Sequence, residues 1–219
     1  MNRNLKDLTV CDKKLKTTPL KMIEKMEREK LKVLDRSEFE DLRRRIKDKF
    51  VLLEVEILFF TGARISEALL LKGIDIAKRK YRDFEFYIFE ITTLKKKRRF
   101  KRSIPVIADE LSISTRERLD LLKVNEFLFQ SIYKREKPMT RQAIYHHLKG
   151  LNERFYPHLF RHSRLSDLAT VMNLFELAQF AGWLLKTVFR HKAINYYIFK
   201  NWPALADKII QKKEVMGYG

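Results

Sequence analysis

The chain is poor in several things, and each shortage excludes something. It has one cysteine, Cys11, in 219 residues, so no intrachain disulfide can form and a reducing compartment is the expectation. Five prolines and six glycines are scattered, and neither a low-complexity linker nor an internal repeat is visible. The longest apolar stretches are short and interrupted by glutamate, which argues against a span through a bilayer. The opening MNRNLKDLTV has no apolar core of the kind a secretory signal needs. Acidic residues are scarce beside basic ones: 28 Asp+Glu face 47 Lys+Arg, a formal charge of +19.

What is present fits a globular fold around one sizeable core, since 45% of residues are hydrophobic. The cationic excess favours a polyanionic partner, because Lys and Arg near a nucleic acid release its condensed counterions. A membrane surface is the usual rival, but no polybasic tail adjoins an apolar anchor and no lipidation signal is visible. A thermophilic composition would raise both signs of charge, whereas here one sign dominates.

Along the chain, residues 1–33 are Lys-rich and weakly patterned, with Leu20, Ile23, Met26 and Leu31 at roughly helical spacing. They read as a basic arm or linker. Asp35 with Glu38 suggests an Asp-led capping box, followed by Phe39, Leu42 and Ile46 at helical spacing. FVLLEVEILFF (50–60) reads as a buried helix broken at Gly62, and RISEALLLK starts another. DFEFYIFEITT (83–93), the basic turn LKKKRR and FKRSIPVI (100–107) predict a hairpin with a cationic tip. Helical patterns follow over 115–132, 140–154 (capped by Thr140), 158–172, 174–182 and a tail to about 212. The fold class is therefore α+β, mostly helical, with a small antiparallel hairpin or sheet.

Three chemistries compete for HLFRHSRLSDLA (158–169). His158 and His162 stand four apart, a zinc-ligand spacing on a helix. The zinc-protease pattern needs a glutamate after the first histidine, and Leu159 stands there; no metal is expected. A phosphate fits better, since Arg161 can contact one bidentately beside a helix start. A solvated basic helix face is the plain alternative. A second arginine, Arg64, follows the Gly62 break at the start of an apolar stretch and needs an anion or a carboxylate partner. Glu67, one turn on, is the structural candidate for that partner.

TGARISEALLLKGIDI (61–76), HLFRHSRLSDLA and FAGW (180–183) together resemble the tyrosine recombinase (phage integrase) family. Each box alone is weak, but their order and approximate separations hold over residues 34 to about 205. The RHSR and GW forms are similar to the archaeal and viral branch. The resemblance implies a recombinase-like catalytic domain over 34–219, with Arg64 as the first catalytic arginine. His158 and Arg161 match the second box, and Trp183 takes the place of the residue after the glycine of the third. The hairpin tip resembles the turn that carries the catalytic lysine. Counting from Pro105 favours Lys97 and counting from the strand favours Lys95. The nucleophile is expected at Tyr197, with Tyr196 as the alternative; both lie a few residues later than the family's usual place. DNA contacts are expected from Lys96, Arg98, Arg99, Arg141, His162 and Arg164.

By the same resemblance, two arginines with His and Trp donors would neutralise the charge that builds on a pentavalent phosphate. Tyrosine would attack and become a 3′-phosphotyrosyl link. A lysine would protonate the leaving 5′ oxygen. No metal or ATP is required, since the covalent link conserves the bond energy, and neither a P-loop nor a carboxylate pair suited to two metals stands out in the sequence. The implied partner is double-stranded DNA carrying a specific site, bound by a homotetramer that is a monomer when free, in the cytoplasm of a prokaryotic host. Full-length relatives carry an N-terminal helical domain that clamps DNA, which about 33 residues cannot supply. A noncatalytic DNA-binding relative and a type IB topoisomerase-like enzyme are the alternative readings.

Overall fold

The computed structural model describes residues 33–95, 98–131, 136–183 and 202–215. Helix α1 (Arg36–Arg45) opens with a reciprocal cap. Asp35 accepts the Glu38 N–H at 2.8 Å, and Glu38 accepts the Asp35 N–H at 2.9 Å. Its inward Phe39 stacks on Phe59 of helix α2 (Lys49–Thr61) with ring centroids 3.6 Å apart, and Phe60 meets both rings edge-on. Burying each such ring contributes about 1.5–3 kcal/mol.

Helix α2 is buried from Leu53 to Thr61 and forms the axis of the core. It carries two buried glutamates, each with a partner. Glu56 binds Arg43 at 2.6 Å and accepts from the Ser112 hydroxyl at 3.0 Å. Glu54 faces Nδ1 of His147. Gly62 ends α2 in the left-handed region at φ +55, and Cε1 of Phe180 lies 2.9 Å from where a Cβ would stand. Only glycine suits both the dihedral and the space.

Helix α3 (Ile65–Ala68) is a single turn, shorter than RISEALLLK suggests. The chain leaves it because the amides of Gly73 and Ile74 bind the carbonyls of Glu126 and Val124, at 3.1 and 2.8 Å. Three antiparallel strands follow in the order β1 (Ile76–Tyr81), β2 (Phe84–Lys95), β3 (Arg98–Ile107). The expected hairpin is β2–β3, with Tyr87 opposite Val106. The third strand was not expected. IAKRKY is an edge strand whose middle residues, Lys78 to Lys80, face solvent, so no apolar alternation marks it.

Helices α4 (Ile113–Asp120), α5 (Arg141–Leu151), α6 (Pro157–Leu168), α7 (Leu174–Ala181) and α8 (Trp202–Val215) complete the described fold. The helix expected over 115–132 ends at Asp120. Beyond it the backbone turns to pair with 71–74, and Leu128 N–H binds the Leu71 carbonyl at 2.9 Å. The helix expected over 158–172 ends as a regular α-helix at Leu168. Helix α6 packs on α2, while α8 lies along β3 with Leu205, Ala206, Ile209 and Ile210 buried. Trp202 docks edge-on against Tyr81 at 5.6 Å. Leu34–Gly219 is one compact unit.

Candidate active site

The ends of two helices build the site. Helix α2 stops at Gly62 and α7 stops at Gly182, both in the left-handed conformation. Each end leaves carbonyls without intrahelical partners. Arg161 of α6 takes one from each: its guanidinium donates to the Gly62 carbonyl and, at 2.7 Å, to the Ala181 carbonyl. Cations are favoured at helix C-termini because the aligned peptide dipoles point their negative ends there. Arg161 is only 4% exposed, and neither of these two partners is a formal anion.

Arg64 precedes α3 and donates from Nη1 to Glu67 Oε1 at 2.9 Å, so the expected carboxylate partner is present. Glu67 is shared. Its Oε2 accepts from Arg102 Nη2 at 2.8 Å and from the Arg64 backbone N–H at 3.2 Å. Burial opposes ionisation of Glu67, but Arg102 and Arg64 outweigh it and hold the carboxyl below its usual value. Two guanidiniums therefore share one carboxylate, and Arg161 stands within the field of all three groups, so positive charge is in excess. Burial, with Arg64 and Arg102 nearby, pushes the Arg161 guanidinium down to about 9. Burial is the larger cause, and the neighbouring guanidiniums add to it.

His158 and His162 lie one turn apart on the exposed side of α6, their rings 6.0 Å apart. Partial burial and then Arg161, His162 and Arg64 lower the His158 pKa. The shift favours the neutral imidazole, which offers both a donor and an acceptor. Trp183 is half-buried against the core, and its backbone N–H donates to the Ala178 carbonyl at 2.8 Å. It follows directly on the α7 end that Arg161 and Arg102 grip.

The structure thus gathers Arg64, His158, Arg161 and the backbone before Trp183. Lys95 closes β2 opposite Arg98; its side chain and those of Arg98 and Arg99 lie outside the described residues, as do Lys96, Lys97, Tyr196 and Tyr197. Arg141 is exposed at the start of α5 and His162 is exposed on α6. Arg164 is a correction. It is 1% exposed, paired with Asp167 at 3.0 Å, and lies over Phe59 and Phe60. A side chain so enclosed has no surface to offer DNA. The reason is helical: position 164 turns to the same inward face as Phe160 and Leu168, four residues to either side.

Arg102 was missed. It is 0% exposed and touches Glu67, Thr93 and the Phe180 carbonyl. A signal for it existed, since strand parity sets Arg102 on the same face as Ile104 and Val106, both fully buried. Among the described residues no three His, Cys, Asp or Glu side chains converge as metal ligands. No helix there is long and apolar enough to cross a membrane.

The sequence profile of the phage integrase family matches residues 21–190. The chain belongs to the phage integrase family. Members of this family of tyrosine recombinases are generally DNA-acting enzymes, and the α+β architecture with its small sheet agrees with that membership. The integrase match spans Arg64, Lys95, Lys97, His158, Arg161 and Trp183 and ends before Tyr196. No curated protein matches the chain.

Proposed function

We propose that this chain is a site-specific DNA strand transferase that cuts and rejoins DNA through a 3′-phosphotyrosyl link. The observation that carries the reading is the meeting of three arginines, Arg64 and Arg102 sharing the Glu67 carboxylate and Arg161 seated on the Gly62 and Ala181 carbonyls, with His158 one turn before Arg161. A phosphodiester in the site supplies the anion that the cluster lacks. As the tyrosine oxygen bonds to phosphorus, charge on the non-bridging oxygens rises, and fixed guanidiniums meet it without reorganising. The P–O5′ bond breaks, the 5′ oxygen takes a proton from the hairpin lysine, Lys95 or Lys97, and the phenol proton leaves to a base such as His158. A second DNA end reverses the step. Neither metal nor nucleotide is needed, because no bond energy is lost.

In this reading residues 34–219 act as the catalytic domain and 1–33 as a basic arm, and four copies assemble on a specific DNA site. A nicked duplex tests it, because the fragment downstream of the cut diffuses away and traps the adduct. Tyr197→Phe is expected to remove the adduct and keep DNA affinity, while Tyr196→Phe is nearly silent. Peptide mapping of the trapped DNA decides between them. A chain that binds the duplex and forms no adduct at either tyrosine is a noncatalytic DNA-binding member, a reading favoured by the profile's end before both tyrosines.

A further inference from the structure

We infer that Arg102 is a positioning residue of the strand-transfer site: from one buried guanidinium it sets the orientation of Arg64 through Glu67, and it ties the β2–β3 hairpin and the α7 end to the same point. The inference rests on the reading of the chain as a strand transferase. Arg102 does not face the substrate, being 0% exposed. Its three contacts reach three separate elements. Nη2 donates to Glu67 Oε2 of α3 at 2.8 Å, Nη1 to Thr93 Oγ1 of β2 at 2.7 Å, and Nε to the Phe180 carbonyl of α7 at 3.0 Å. Each leads to a residue of the proposed chemistry. Glu67 holds Arg64, Thr93 is two residues from Lys95, and Phe180 is three residues before Trp183.

The split of the Glu67 carboxylate is informative. A buried pair formed only for charge balance would be satisfied by a fork, both carboxylate oxygens on one guanidinium. Here Arg102 occupies one oxygen and the other is turned to Arg64. Without Arg102 the carboxylate is free to chelate Arg64 alone and draw it off the phosphate. The α7 end is shaped around the same group: a Cβ at Gly182 would stand 2.8 Å from Arg102 Nη1 and 2.9 Å from Thr93 Oγ1. Replacing Arg102 alone leaves Glu67 buried with Arg64 as its remaining cation, so a loss of stability is expected beside any loss of rate, and melting temperature is measured with it.

The test starts with wild-type chain and a library of nicked duplexes of randomised sequence. The trapped sequence then supplies one defined duplex, made with an ordinary phosphodiester or with an uncharged methylphosphonate at the scissile position. Arg102→Met, Arg102→Lys and Thr93→Val are compared with Arg64→Ala for melting temperature, DNA affinity and the rate of adduct formation. Arg102→Met is expected to slow adduct formation by about 30-fold or more. Its DNA affinity should stay within about threefold of wild type, since other cations supply the phosphate contacts. Adding it to Arg64→Ala should slow the reaction by less than the product of the two separate losses, because part of its effect runs through Arg64. On the methylphosphonate, where there is less charge to meet, its penalty should shrink alongside that of Arg64→Ala. Arg102→Lys should recover part of the rate. Thr93→Val, which keeps charge and shape, should give a smaller loss with the same non-additivity, and it decides the matter if Arg102→Met does not fold. Wild-type rates in the folded variants, losses that multiply with Arg64→Ala, or equal penalties on both substrates would overturn the inference while leaving the strand-transferase reading intact. A wild-type chain that binds the library and traps nothing brings down both.

Discussion

Arg161 answers to two demands at once, and its substitutions separate them. Replacing it with alanine leaves the Gly62 and Ala181 carbonyls unpaired, at about 1–3 kcal/mol for each buried group. It also removes the central charge. Lysine keeps the charge but cannot fork between two carbonyls. Arg161→Lys is therefore expected to remain folded and to bind DNA, with adduct formation slowed by about 100-fold; thermal melting and single-turnover trapping check the two halves. Arg164 behaves differently. It is enclosed by Phe59 and Phe60, and its partner Asp167 keeps Lys212 at 3.1 Å. Arg164→Met fills the volume with an apolar chain and leaves Asp167 its Lys212 partner, so the loss of unfolding free energy is expected to stay below the about 3–5 kcal/mol of a fully broken buried pair. Its DNA affinity should match wild type, and a loss would restore the contact first expected of that residue.

Between elements, the joint of α2 and α5 carries a pH dependence. Glu54 is 0% exposed, with its oxygens 2.9 and 3.0 Å from His147 Nδ1. Burial, with Asp48 nearby, pushes its carboxyl from an ordinary 4.5 up to about 9. The folded state thus holds a proton that the unfolded chain releases. Stability from this group is complete below the unfolded value and is lost as pH rises toward the folded one. Glu54→Gln keeps the shape and cannot titrate. Denaturant unfolding between about pH 5 and about 9 is expected to fall for wild type and run flatter for the variant. The same joint shows what the sequence made legible. The Asp35 cap, the buried α2 run, its stop at Gly62 and the β2–β3 hairpin are local signals, written in residue order. The edge strand β1 and the early end of α4 are not, because the first is fixed by pairing with β2 and the second by pairing between 71–74 and 124–128. Of the site, Arg64, His158 and Arg161 stood out as motif residues. Arg102 did not, since its role depends on three elements meeting.

For the whole molecule, +19 dominates encounters with DNA. Affinity for any duplex is expected to weaken by about 10³-fold or more between about 50 and 200 mM salt. The cleavage rate of already bound complexes should change far less, because the cluster is enclosed and screened little by ions. Binding and trapping measured across a salt series separate the two; a cleavage rate that falls as steeply as affinity would argue that the site is open to solvent ions.

The seat of Arg161 is made of main-chain carbonyls, and a carbonyl is present whatever side chain a mutation supplies. No substitution can delete these acceptors; only one that bends the backbone can move them. The vulnerable positions are then Gly62 and Gly182, at φ +55 and +65, where any added Cβ meets Phe180 or Arg102. A random-mutagenesis screen for loss of strand transfer should therefore find the arginine itself and these two glycines. The seat of Arg161 is in this sense buffered against drift in the gene that encodes it.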